Sequence, residues 1–82
     1  MIKKYRKNPV VIKAVEWNGR NSGEIKKFIG KRIDRTGNSL IIPTLEGDME
    51  ARLYDFVVRG VSGEFYPCKP DIFIQTYEEA EE

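Results

Sequence analysis

The sequence predicts an α+β fold: a small, mostly antiparallel β-sheet of about four or five strands, with one clear helix after strand 1 and a short C-terminal helix. Three observations carry this reading. A β-branched, apolar run from Pro9 to Trp17 stands ahead of a single helical stripe at Ile25, Phe28 and Ile29. Short apolar runs separated by Gly- and Asn-containing turns fill the stretch from Lys31 to Cys68, and Pro70 opens a last helical segment.

In the first strand, Val11, Lys13, Val15 and Trp17 share one face and Val10, Ile12, Ala14 and Glu16 the other. Both faces are largely apolar, which predicts a central strand. Pro9 sits at its mouth, and Asn18-Gly19 stops it. Asn21 or Ser22 can cap the helix through a side-chain oxygen, and Glu24 lies at the capping-box distance from Asn21. Gly30 ends the helix. Thr36-Gly37-Asn38-Ser39 reads as a turn, Leu40-Ile41-Ile42 as a short strand, and Glu46-Gly47-Asp48 as a hairpin into Met49–Leu53. Asp55–Arg59 is a further strand, returned by Gly60-Val61-Ser62-Gly63 into Glu64–Pro67. Pro70 suits the first turn of a helix over Asp71 to about Glu78. Val11, Ile12, Val15, Ile25, Phe28, Ile29, Ile41, Val57 and Phe73 are the predicted core.

At 82 residues the chain is read as one domain, near the lower limit for folding alone. A single sheet with one clear helix leaves an apolar face poorly covered, so a homo-oligomer is expected. Fourteen basic and 13 acidic residues leave a net charge of +1, which recommends no nucleic-acid partner globally. The basic start (Lys3, Lys4, Arg6, Lys7) and the acidic end (Glu78, Glu79, Glu81, Glu82) read first as solvated ends. One cysteine excludes an internal disulfide and suits a reducing, cytoplasmic setting. With no histidine, His-based metal sites and His-dependent triads are excluded. No apolar run is long enough for a membrane helix, and the basic start lacks the apolar segment of a signal peptide.

No Walker loop, dinucleotide glycine fingerprint or serine elbow is present, and Cys68 has no base to serve it, so no enzyme is expected, and no cofactor or metal. Aromatic side chains with nearby cations are the better lead, because a planar ring stacks on an aromatic while Arg or Lys holds a phosphate. The candidate ligand-binding residues are Arg59, Tyr66, Lys69, Trp17, Tyr5, Arg6 and Lys7. Trp17 and Phe65 read first as core, since large aromatics dominate small cores. Alternation sends Phe65 and Tyr66 to opposite faces, with Phe65 inward and Tyr66 available to a ligand.

Three segments, Lys4–Ile12, Thr44–Met49 and Arg59–Phe73 with its Gly63-Glu64-Phe65-Tyr66-Pro67-Cys68-Lys69-Pro70-Asp71 run, together resemble a family of small phage and prophage proteins carrying a Pro-Gly-Asp-Tyr-Gly motif. The resemblance spans nearly the whole chain and implies a phage or prophage source. It carries no established activity and so no catalytic residues. Where that family reads Pro-Gly-Asp-Tyr, this chain reads Leu53-Tyr54-Asp55-Phe56, which puts the tight turn in question and lets a strand run through it. The expected function is a non-catalytic phage accessory protein that sequesters a small anionic, nucleotide-like ligand to counter host defence. The alternative is an interaction module for a host or viral protein, and a third is nucleic-acid binding through the basic N-terminus.

Overall fold

The computed structural model describes residues 1–6 and 9–80. The elements run β1 (Lys13–Glu16), α1 (Ser22–Ile29), β2 (Asp34–Thr36), β3 (Ser39–Thr44), β4 (Gly47–Ala51), β5 (Phe56–Arg59), β6 (Phe65–Cys68) and α2 (Pro70–Thr76). The α+β class is as predicted, with α1 after the first strand and α2 at the end. Among the described residues six strands, all antiparallel to their neighbours, divide into two three-stranded sheets ordered β1-β5-β6 and β2-β3-β4. The sheets meet where β6 packs on β3 and β4.

The first sheet has two dressed faces. In the β1–β5 register, Lys13 opposes Arg59, Ala14 opposes Val58 and Val15 opposes Val57. In β5–β6, Arg59 opposes Phe65 and Val58 opposes Tyr66. Side chains alternate along each strand, so Lys13, Val15, Val57, Arg59 and Phe65 share one face and Ala14, Phe56, Val58 and Tyr66 the other. α1 covers the first face with Ile25 and Ile29, both buried, and with Phe28, whose ring meets Phe65 edge-on at 5.4 Å. α2 covers the second: Phe73 stacks on Phe56 at 3.9 Å between centroids.

The core consists of Trp17, Ile25, Ile29, Leu40, Ile42, Ala51 and Val57, with Val15, Phe28, Ile33 and Phe65 packed against it. Four of the predicted core residues are placed elsewhere. Val11 lies ahead of β1 and is 81% exposed. Ile41 is half-buried because alternation in β3 turns its neighbours Leu40 and Ile42 inward. Ile12 is half-buried at the end of the first sheet. Phe73 packs in the smaller layer beneath α2.

β1 is shorter than the apolar run that predicts it, and it is an edge strand where the sequence reads as a central one. Packing on both faces demands apolar residues on both, whether or not both edges are paired. Asn21 occupies the cap position of α1, but its side chain does not cap the helix. The amide turns back to β1 instead: its Nδ2 donates to the Glu16 carbonyl at 2.7 Å and its Oδ1 accepts from the Asn18 N–H at 3.0 Å. The same Nδ2 reaches Glu24 at 3.0 Å. Gly30 closes α1 in the left-handed conformation, as predicted.

The segment that departs from the Pro-Gly-Asp-Tyr pattern is a turn, and no strand runs through it. The Arg52 N–H donates to Asp55 Oδ2 at 2.9 Å, and the Asp55 N–H returns to the Arg52 carbonyl at 2.9 Å. Tyr54 stands where that pattern has glycine and adopts φ 72°, the left-handed region where a side chain meets its own carbonyl. Leu53 reaches across to Gly19, where a Cβ would lie 3.1 Å from Leu53 Cδ1 at φ 87°. Tyr54 is 54% exposed, so ring packing offsets little of its backbone cost. Tyr54→Gly is therefore expected to raise unfolding stability by about 0.5–1 kcal/mol, read from the urea midpoint. A loss of that size would show that the ring contributes more than the backbone conformation costs. Phe28→Ala is expected to cost about 3 kcal/mol through the edge-on contact and the cavity it leaves.

Candidate functional site

The open end of the first sheet, where Ile12 enters β1 and Gly60 leaves β5, carries the chemistry. Lys13 and Arg59 are directly opposed across the antiparallel pair, so their Cβ atoms lie about 4.5–5.5 Å apart. Like charges so placed repel. Among the described residues no carboxylate pairs with either; the ion pairs present are Arg32–Asp34 at 3.8 Å and Arg52–Glu50 at 3.3 Å. Beside the two cations lies a depression of about 240 Å³, lined also by Val11, Ile12, Gly60, Val61 and Gly63.

A second depression, of about 340 Å³, lies on the other side of the same ridge. It shares Ile12, Gly60 and Val61 with the first and adds Val10, Glu64, Tyr66 and Tyr77. The turn between β5 and β6 shapes both. The Gly60 N–H donates to the Glu64 carbonyl at 2.7 Å, and Glu64 Oε1 accepts from the Ser62 N–H at 3.0 Å. A Cβ on Gly60 would meet that carboxylate, the mobile end of the Glu64 side chain, which would have to shift.

The sequence-predicted residues do not form one cluster. Arg59 points to the α1 side of the sheet and Tyr66 to the α2 side, where its hydroxyl lies 3.3 Å from that of Tyr77. Burial, reinforced by the Tyr77 hydroxyl, holds the Tyr66 phenol well above its ordinary range. Lys69 precedes α2 at the opposite end of β6, four residues and so about 13 Å of strand from Phe65. It does not join Arg59. Trp17 is fully buried, its Nε1 donates to the Asn38 carbonyl at 2.8 Å and the Arg35 guanidinium lies 5.2 Å from its ring centroid. No face of the indole is left for a ligand, so Trp17 leaves the candidate set. Tyr5 and Arg6 are exposed on the segment that leads to Val10 and Val11 at the rim, and Lys7 lies outside the described residues. Phe65 is inward, as the alternation requires.

Lys13 is the residue missing from the sequence-derived set. Its signal is the strand register, which places it opposite Arg59 and which no local motif encodes. Among the described residues no cluster of His, Cys, Asp and Glu is arranged to hold a metal, and no helix is long and apolar enough to cross a membrane. Compared with known proteins, the chain matches no family model, no curated protein and no solved structure.

Cys68 is half-buried, with Sγ 3.7 Å from the Lys69 carbonyl. Burial, then the Asp55 and Asp71 carboxylates, push its thiol up, so the neighbouring ammonium of Lys69 does not activate it. Both Cys68 and Tyr66 have folded values raised above their unfolded ones, so the stability they contribute is present below the unfolded values and lost as pH rises through the folded ones. The melting temperature is expected to fall from about pH 8.5 upward, more steeply beyond about pH 10. Cys68→Ser is expected to remove the first part of that fall and Tyr66→Phe the second. Alkylation of Cys68 at pH 7 is expected to be slower than that of free cysteine.

Proposed function

We propose that this chain is a non-catalytic binding protein for a small anionic, nucleotide-like ligand, held at the Lys13–Arg59 end of the first sheet. The observation that carries the reading is the directly opposed pair of cations with no acidic partner among the described residues. An anion bound between them relieves their repulsion and gains charge-assisted hydrogen bonds, with Arg59 offering a planar two-pronged grip.

Size decides how such a ligand sits. A depression of about 240 Å³ is below the usual range for an enclosing pocket, roughly 300–1,000 Å³, so it takes the anionic group and leaves the remainder outside. The adjoining depression, with Tyr66, Val61 and Val10 around it, is the neighbouring place for a planar ring. A ligand draped over the Ile12–Gly60–Val61 ridge uses both. The resemblance to small phage proteins supports a phage or prophage source, a setting in which withholding a nucleotide-like signal from the host is of use. A second reading, docking on a host or viral protein, draws on the exposed apolar side chains Val10, Val11 and Val61 at the same end.

Calorimetry with nucleoside triphosphates and cyclic nucleotide messengers tests the first reading. Arg59→Ala and Lys13→Ala are each expected to weaken binding by about 1.5–3 kcal/mol, while Lys69→Ala, at the far end of β6, leaves it unchanged. Added phosphate compounds are also expected to raise the melting temperature of the native protein more than that of Lys13→Ala. If the native protein binds none of these anions, the interaction-module reading takes its place.

A further inference from the structure

β1 is an edge strand with the composition of a central one, and the hydrogen-bonding groups on its open side show what would complete it. The Trp17 N–H donates to the Asp55 carbonyl at 2.8 Å, so the odd-numbered residues of β1 direct their backbone groups toward β5. The even-numbered ones, Ile12, Ala14 and Glu16, direct theirs outward. At one end of that open side the Asn21 amide is already bonded to the Glu16 carbonyl and the Asn18 N–H. Among the described residues no strand lies beyond Ile12, Ala14 and the Glu16 N–H.

We infer that this edge is where a second copy of the chain pairs, β1 against β1 in antiparallel sense about a two-fold axis at Ala14. The register follows from what is free. Outward groups pair only with outward groups, so the axis passes through residue 13, 14 or 15. An axis at Lys13 sets the two lysines face to face, which repels. An axis at Val15 places Ala14 of each copy on Glu16 of the other, so both central bonded pairs meet the carbonyl that Asn21 already holds, whereas the central pair of an axis at Ala14 is free of it. With the axis at Ala14, the two Ala14 residues exchange N–H···O bonds, and each Glu16 N–H donates to the Ile12 carbonyl of the second copy. The Ile12 N–H finds the second lone pair of the Glu16 carbonyl. Lys13 then faces Val15, and Pro9 is no obstacle, since its missing N–H would point away from the new neighbour. The exposed side chains of Val10 and Val11 are carried toward the second copy. The product is one six-stranded sheet, β6-β5-β1-β1-β5-β6, with both Lys13–Arg59 pairs on the same face. The inference rests on the backbone edge and not on the anion reading, so either can fail alone.

Ile12 and Glu16 face each other across this axis and test the register directly. Sedimentation velocity is expected to show a concentration-dependent species of roughly twice the 9.5 kDa chain mass. Ile12→Glu sets like charges opposite each other at both ends and is expected to raise the dimer dissociation constant at least tenfold. Ile12→Lys sets opposite charges there and is expected to keep the dimer, and Ile12→Glu with Glu16→Lys to restore it. Amide exchange read by NMR is expected to slow at Ala14 in proportion to the dimer present. A chain that stays monomeric at millimolar concentration overturns the inference, as does a dimer indifferent to Ile12→Glu or one with an unprotected Ala14 amide.

Discussion

Everything else in this molecule is arranged around the burial of Trp17. Its ring is fully enclosed, which in a chain of 82 residues makes it the largest single apolar contribution to the core. Three polar attachments fix it as well. Its Nε1–H donates to Asn38 in the turn between β2 and β3, its own N–H to Asp55, and its carbonyl accepts from Tyr54 at 2.7 Å. One residue at the end of β1 thereby holds the hairpin of one sheet and the entry to β5 of the other. The sheets share no strand, so their mutual position depends on this contact, on the core that Leu40, Ile42 and Ala51 share with Val57, and on the packing of β6 against β3 and β4. The Arg35 guanidinium over the indole is held by the Gly37 carbonyl at 2.9 Å, so the cation on this ring is structural.

That arrangement leaves the far end of the first sheet comparatively unconstrained. The cation pair, the glycine turn and the two depressions all lie there, and no residue lining either depression belongs to α1 or the second sheet. A net charge near zero conceals the cation pair, because charge matters here by adjacency: two cations on neighbouring strands make a local field that the total of +1 does not report. Glu64 illustrates the same point, since its carboxylate is occupied by the Ser62 N–H and not by Arg59.

What could be read from the residues was what depends on local spacing. The stripe at Ile25, Phe28 and Ile29, the glycine after it and the proline before α2 located both helices, because helix period and end chemistry are local. Strand existence was legible for the same reason. Partition into two sheets was not, because it depends on which strands meet across many residues. The same limit governed the site. Alternation placed Phe65 and Tyr66 on opposite faces, but only the register shows that Arg59 goes with Phe65 and that Lys13 stands beside it. Trp17 shows the cost of reading a residue type alone: an indole near cations describes a stacking platform and a structural anchor equally well. Tyr54 shows the converse, where a turn survives a residue poorly suited to it because Asp55 and Trp17 hold the backbone from both sides.

Asn21 joins two events that are usually separate. Its amide imitates a peptide group and seals one end of the β1 edge, yet its backbone is the first rung of α1, since its carbonyl accepts the Ile25 N–H at 3.1 Å. Fraying of the first helical turn therefore also unseals the edge. The stretch of strand able to recruit other chains lengthens as α1 loosens, in a region where β-branched residues are dense. Loosening of that turn on heating is therefore expected to make this edge available to other chains while the core around Trp17 is still closed.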